Sequence, residues 1–240
     1  MNTRQAMQLV SVIQNNVDWD SIEPKTAQEI IDNPAEAGGR FTDFIRSGAP
    51  VLPVVAEKSL DLHLSSWASL YKEMGIDLDV ANLKVPEPKP GFDRLIIVAQ
   101  GMTPNRAYEE CAKRFPCWKY ADDLDTAVPT NDRDPSNSTY ALWVRDRVEA
   151  DEELKNKSAN DLKEEDVKGI TLLERIFYEL KYHNETGKHL DLENVTLCSG
   201  SRHSDGHVPY AYWLDGRFDV IYYDADYHNP SLRSRAVVSL

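Results

Sequence analysis

Basic residues are in short supply in this chain: 27 Lys and Arg stand against 40 Asp and Glu, for a formal net charge of −13 over 240 residues. An acidic surplus of this size repels polyphosphate and anionic lipid, which argues against general nucleic-acid or membrane-surface binding. Cysteine is scarce as well. Only Cys111, Cys117 and Cys198 are present, and an odd, thin set reads as reduced thiols of a cytoplasmic protein, not as a disulfide framework. Long apolar runs are missing: no stretch approaches the ~20 residues of a membrane span. The opening residues MNTRQAMQLVSVIQNNVDW lack the apolar core of a secretory leader and read instead as a first helix. No period of about 20–50 residues recurs, which excludes solenoids and propellers. What is present is ordinary globular composition, 41% hydrophobic and 28% charged.

The clearest local signal is a hairpin. Asp215-Gly216 separates two runs rich in aromatic and β-branched residues, and Asp-Gly supplies the positive φ angles of a tight type I′ turn. With a two-residue loop, Leu214 faces Arg217 and Trp213 faces Phe218. Alternation then places Ala211, Trp213, Phe218, Val220 and Tyr222 on one face, expected in the core. Tyr210, Tyr212, Leu214, Ile221 and Tyr223, with Arg217 and Asp219, share the other face, expected to be half-covered by a helix.

Along the chain, Ala6, Leu9, Val10 and Ile13 have helical spacing over 3–15. Thr26 and Glu29 form a capping-box pattern for a second helix. Phe41, Phe44 and Ile45 suggest a third, stopped by Gly48 and Pro50. VLPVV (51–55) is an edge strand at most, because of Pro53. Ser59 caps a helix reaching Met74. The segment 84–91, KVPEPKPG, is the best linker, so a helical N-terminal part is expected over 1–83 and an α+β domain over 91–240.

In that domain FDRLIIVAQ (92–100) reads as a buried strand. A helix follows it, capped by Thr103 with Pro104 in its first turn. Residues 118–137 read as a long polar loop, and 138–151 as a strand with Arg145 and Arg147 on one face in an ion-pair network. The charged stretch 149–168 reads as a solvated helical face or a mobile loop. Ile170, Leu172, Leu173, Ile176, Phe177 and Leu180 give the strongest helical periodicity, from Thr171 or Gly169 to Thr186. A strand over 194–198, the hairpin, and a last strand RAVVSL (235–240) complete an α+β fold with a mostly antiparallel sheet packed with helices.

The strings GFDRLIIVAQGMT, WVRDRVEADEE, TLLER, GKHLD, TLCSGSR and LRSRAVVS resemble an uncharacterised protein family from uncultivated bacteria. The resemblance covers roughly residues 90–240. It implies no activity, cofactor or catalytic residue.

The candidate site is therefore argued from residue chemistry, and it centres on the loop 199–207. Ser199 and Ser201 offer hydroxyls, and Arg202 a guanidinium fork for an oxyanion. His203 and His207 add pH-dependent donors beside Asp205. Arg233 and Arg235 are expected to join from the terminal strand. The loop is no Walker phosphate loop, since the terminal Lys-Ser/Thr is absent. Two readings follow. The leading one is a non-enzymatic binding or accessory protein for a small anion or an acidic peptide, with Arg202 at the centre of a concavity and no cofactor or assigned metal. The bland rival is that Arg202 pairs with Asp205 or Asp191 and only fixes the loop.

The other reading is a small hydrolase using Cys198, His203, His207 and Asp205, with or without a metal. His183, His189, Cys198, His203 and His207 are soft ligands close in sequence, but they match no standard zinc motif. A buried strand cysteine is the ordinary state of a residue such as Cys198.

Overall fold

The computed structural model describes residue 28, residues 31–47 and residues 55–240. The chain divides into two compact units, Met1–Ser59 and Leu60–Leu240. The expected helix over 3–15 and residues 51–54 of VLPVV lie outside the described residues, and of the helix opened at Thr26 only residues 28, 31 and 32 are described, all helical. In the first unit α1 (Pro34–Ser47) carries Phe41 and ends just ahead of Gly48, as the breakers predict.

In chain order the remaining elements are α2 (Val55–Glu73), β1 (Arg94–Val98), α3 (Pro104–Ala112), β2 (Cys117–Lys119), α4 (Leu124–Ala127), β3 (Thr130–Asn131) and β4 (Tyr140–Val144). A 3₁₀ turn (Glu152–Leu154), α5 (Ala159–Glu164), α6 (Leu172–Thr186), β5 (Val195–Leu197), β6 (Ser201–Arg202), β7 (Val208–Leu214), β8 (Arg217–Tyr223) and β9 (Leu232–Ser234) follow. The fold class is α+β. No helix among the described residues is long and apolar enough to cross a membrane.

The division between units falls ahead of Leu60, not in the proline-rich segment 84–91. The reason is the aromatic face of α2. Trp67 Nε1–H donates to the Leu95 carbonyl at 3.0 Å. Tyr71 O–H donates to the Ile97 carbonyl and accepts from the Ala99 N–H, both at 2.9 Å. Both side chains are fully buried. The proline segment is itself held, since Trp143 Nε1–H donates to the Pro86 carbonyl at 2.8 Å. Proline prevents strand and helix there without loosening the chain.

The principal sheet has the order β2-β8-β7-β5-β9 and is mixed, not mostly antiparallel. The β7–β8 and β5–β7 pairs are antiparallel, whereas β2–β8 and β5–β9 are parallel. The hairpin has the expected register, Trp213 opposite Phe218 and Leu214 opposite Arg217. Asp215 and Gly216 have φ of +51° and +78°, the two left-handed residues of a type I′ turn. β1 and β4 pair antiparallel in a separate ladder, and so do β3 and β6.

Two departures have one cause. The stretch 118–137 holds α4, β3 and the end of β2 instead of a plain loop, and the final strand is Leu232–Ser234 instead of 235–240. These short strands are made by partners distant in sequence, so local composition does not announce them. Past Ser234 the chain keeps only isolated bridges, Ala236 to Gly169 and Val238 to Trp143.

α6 is the central helix. Thr171 and Glu174 form a reciprocal capping box, and Gly187 closes the helix at φ +67°. Leu172, Ile176, Phe177 and Leu180 bury in one core with Ala211, Phe218 and Val220 of the sheet and with Trp67 and Tyr71 of α2, whose rings lie 6.2 and 5.4 Å from that of Phe177. The opposite face is covered by the charged stretch, not left to solvent: Leu154, Ala159 and Leu162 pack with Leu197, Val208, Tyr210 and Leu232. A capping box between Ser158 and Asp161 starts α5. Three apolar residues among many charges suffice, because a one-sided helix needs only its inward positions.

Candidate functional site

The loop after β5 is shaped by two glycines before any ligand chemistry enters. Gly200 N–H donates to the Ile170 carbonyl at 3.0 Å, and its own carbonyl accepts from Asp132 N–H at 2.8 Å. A β-carbon on Gly200 would stand 2.6 Å from the Gly169 carbonyl oxygen, and one on Gly169 would stand 1.8 Å from Ser199 Oγ. Only residues without side chains let these two backbones meet.

The eight residues expected at one site occupy three environments. Ser199, Ser201 and Arg202 form the first. Ser201 Oγ–H donates to Asn131 Oδ1, and its oxygen accepts from Leu172 N–H at 2.9 Å, so it satisfies the first turn of α6. Ser199 Oγ and Ser234 Oγ are 2.9 Å apart. Both hydroxyls serve the fold. Arg202 differs. Its Nη1 donates to the carbonyls of Ser199 at 2.7 Å and Ser201 at 2.8 Å. Neither Asp205 nor Asp191 pairs with it: Asp205 is held by two histidines and Asp191 by two other arginines. Burial lowers the Arg202 pKa below the usual guanidinium value, with Asp132 acting in the opposite direction.

Arg202 lines a cavity of about 310 Å³ with Thr130, Asp132, Ala159, Leu162, Lys163, Asp166, Val167, Lys168, Ser199 and Gly200. Three cations thus face two carboxylates in an otherwise acidic protein. The floor from α5 is apolar. Among the described residues Lys163, Lys168 and Arg202 form no ion pair within 4.0 Å, whereas Arg145, Arg147, Arg175, Arg233 and Arg235 all do. Lys163 and Lys168 were missed by sequence reasoning, because the charges of 149–168 carry no local sign that two of them stand beside a loop after β5.

His203, Asp205 and His207 form the second environment, the turn between β6 and β7, and they do not line the cavity. His203 Nδ1 and His207 Nδ1 each lie 2.6 Å from Asp205 Oδ1. His207 Nε2 lies 2.7 Å from Asp224 Oδ1. The hydrogen bond from His207 dominates in holding the Asp205 carboxyl far below the usual carboxylate range, and the same bond raises the His207 pKa. The His203 ring stacks on Tyr222 at a centroid distance of 5.6 Å.

Arg233 and Arg235 belong to the third environment, away from the loop's cavity. Arg233 pairs with Glu152 and Asn194. Arg235 is 1% exposed and donates to Asp191 at 2.7 Å and to the carbonyls of Arg147 and Val148. Fully buried Arg175 donates from Nε to Asp191 Oδ2 at 2.9 Å and from Nη1 to Glu179 at 2.9 Å. Its Nη2 stands 2.8 Å from the same Asp191 oxygen in ion-pair contact but without hydrogen-bond geometry. A guanidinium taken out of water requires a carboxylate, and Asp191 serves two.

Cys198 is fully buried, with its Sγ 3.8 Å from the Thr196 carbonyl and its thiol pushed up strongly by burial. Neither histidine of the turn pairs with it. His183 and His189 stack on each other beside Phe115, with His189 also on Glu179, so the five soft ligands do not converge. Arg145 and Arg147 share a network with Asp151 and Glu153, as alternation predicts. Compared with family models, curated proteins and solved structures, the chain matches none.

Proposed function

We propose that this protein is a non-enzymatic binding or accessory protein that takes a small anion, or the acidic side chain of a peptide, in the cavity beside Ser199–Arg202. One observation carries the reading: Arg202 is half-buried, is oriented by two backbone carbonyls, and has no carboxylate of its own while Lys163 and Lys168 line the same cavity unpaired. A guanidinium with one edge fixed by the backbone presents its remaining donors at low entropic cost. The apolar floor from Ala159, Leu162 and Val167 suits a ligand with a short carbon stem as well as an inorganic oxyanion. Asp132 and Asp166 in the lining disfavour a polyanion, and with the overall charge they argue against nucleic acid and anionic membrane as partners. Three unpaired thiols suit a reducing, cytoplasmic setting.

Thermal unfolding with sulfate, phosphate and a short acidic peptide tests the reading. A saturable rise in Tm is expected, equivalent to about 2.7 kcal/mol at a hundredfold excess over Kd. Arg202→Ala and the double variant Lys163→Ala/Lys168→Ala should each lose that rise relative to its own ligand-free Tm while remaining folded. Protection by none of the three ligands, or equal protection of Arg202→Ala, overturns it.

A further inference from the structure

The turn between β6 and β7 carries a second, separate chemistry. His203, Asp205 and His207 lie in the span His-Ser-Asp-Gly-His, and one ligand atom of each lies within 4.8 Å of the other two. The two Nδ1 atoms converge on one carboxylate oxygen, each at 2.6 Å. Zinc holds imidazole nitrogen and carboxylate oxygen at about 2.0–2.2 Å, which puts neighbouring ligand atoms of a tetrahedral shell roughly 3.3 Å apart. The two nitrogen–oxygen separations of 2.6 Å are shorter than that value and no separation exceeds 4.8 Å, so the three donors are already gathered within the span of one coordination shell.

Two features set this cluster apart from a chance meeting of polar side chains. The first is the far nitrogen of His207, held by Asp224 Oδ1 at 2.7 Å. Asp224 follows β8 and comes from across the hairpin, so tertiary pairing and not local sequence supplies it. A carboxylate on the remote nitrogen of a ligating histidine fixes the ring and raises its donor strength. The second is the backing of His203, whose ring lies against Tyr222 and Tyr120 with centroids 5.6 and 5.7 Å away. Its Nδ1 is thereby aimed before any ion arrives. The turn itself is closed by His203 N–H on the His207 carbonyl at 2.8 Å.

We propose that His203 Nδ1, Asp205 and His207 Nδ1 bind a divalent first-row transition-metal ion of the zinc class, with Asp224 as the positioning carboxylate behind His207. Two imidazoles and one carboxylate select a borderline metal over calcium or magnesium, which take oxygen shells. Three protein ligands leave at least one position for water or for a donor from outside the chain. Cys198, the residue that spacing alone would recruit, is fully buried with its Sγ on the Thr196 carbonyl and is not among the converging donors. This site shares no residue with the anion cavity, so either reading can fail without the other.

The test is calorimetric titration of chelator-treated full-length protein with zinc(II), with cobalt(II) absorption as a second readout of coordination. One equivalent should bind, and cobalt(II) should give a d–d spectrum of a nitrogen- and oxygen-ligated ion. His207→Ala and Asp205→Ala should weaken binding more than a hundredfold, and Asp224→Asn by about 10–100-fold, the usual consequence of removing such an outer carboxylate. His183→Ala should bind like the parent protein. Circular dichroism shows whether each variant is folded, and His203→Ala replaces any that is not. Absence of binding by the parent protein overturns the proposal, as does affinity unchanged in the folded His203→Ala/His207→Ala double variant.

Discussion

Arg202 and Arg235 are both drawn away from water, yet they have opposite surroundings. Arg235 meets Asp191, Thr196 and two backbone carbonyls and is 1% exposed. Arg202 meets two backbone carbonyls and has no carboxylate within 4.0 Å, the charge of Asp132 acting on it from farther off. A guanidinium that brings its own counter-ion belongs to the architecture. One that is oriented but lacks an adjacent carboxylate is the one we propose for a ligand. The contrast extends to the neighbours: Arg175 and Glu179 complete a closed charge cluster around Asp191, whereas Lys163 and Lys168 stand with Arg202 around open space.

The sharpest way to break this comparison is to neutralise the shared carboxylate. Asp191 sits at φ +56°, a conformation that asparagine also accepts, so Asp191→Asn removes charge with little backbone strain. Two buried guanidiniums then lose their common counter-ion, and urea unfolding should report a loss of about 3–5 kcal/mol. A loss below about 1 kcal/mol would mean that the inner cluster is not structural.

A smaller effect is expected at the loop that carries Arg202. Gly200→Ala presses a methyl group against the Gly169 carbonyl, and overpacking of this kind costs about 1–3 kcal/mol. It should also remove anion protection, because the Ser199 carbonyl that orients Arg202 moves with the loop. Stability and protection both unaltered would show that the close approach of the two glycine backbones does not hold the cavity.

Arg202→Ala removes two hydrogen bonds to backbone carbonyls of its own loop and should cost about 0.5–1.5 kcal/mol, less than the loss of the carboxylate-paired Arg235. Denaturant melts of this variant beside Arg235→Ala measure the contrast directly. Equal losses in the two would erase it.

The smallest effect is none at all. Cys198, enclosed next to Arg175 and Asp191 with its thiol raised by burial, should resist alkylation in native protein near neutral pH. Cys111, also fully buried and raised, should do the same. Cys117 is partly exposed, and burial is the main cause that pushes it up to about 12, so it should label slowly. Mass spectrometry of alkylated native protein checks all three. Rapid native labelling of Cys198 would place the inner cluster within reach of solvent.

Much of the scaffold was legible because its signals are local. The Asp215-Gly216 turn, the caps at Thr103 and Thr171, the apolar stripe of α6 and the alternation of β1 need only a residue and its near neighbours. Of the candidate site one feature was legible, the place of Arg202 in a polar segment shortly after a strand. It was illegible where partners come from elsewhere. Lys163 reads as one charge among many, Asp224 carries no signal of its own, and Arg235 reads as a strand residue beside the loop. None of their neighbours in sequence reveals that the first lines a cavity, the second backs a histidine and the third is neutralised in the core.

The division follows from range. Turn chemistry, capping and hydrophobic period are properties of short segments, so the amino-acid order alone determined that this chain makes an α+β fold with a tight hairpin and a long central helix. Charge pairing in low dielectric is a property of positions in space. Only the tertiary structure decided which arginines found carboxylates and which did not, because the pairing of β5 with β9 brings Asp191 beside Arg235, whereas β6, paired with β3, carries Arg202 to the cavity that Lys163 and Lys168 also line.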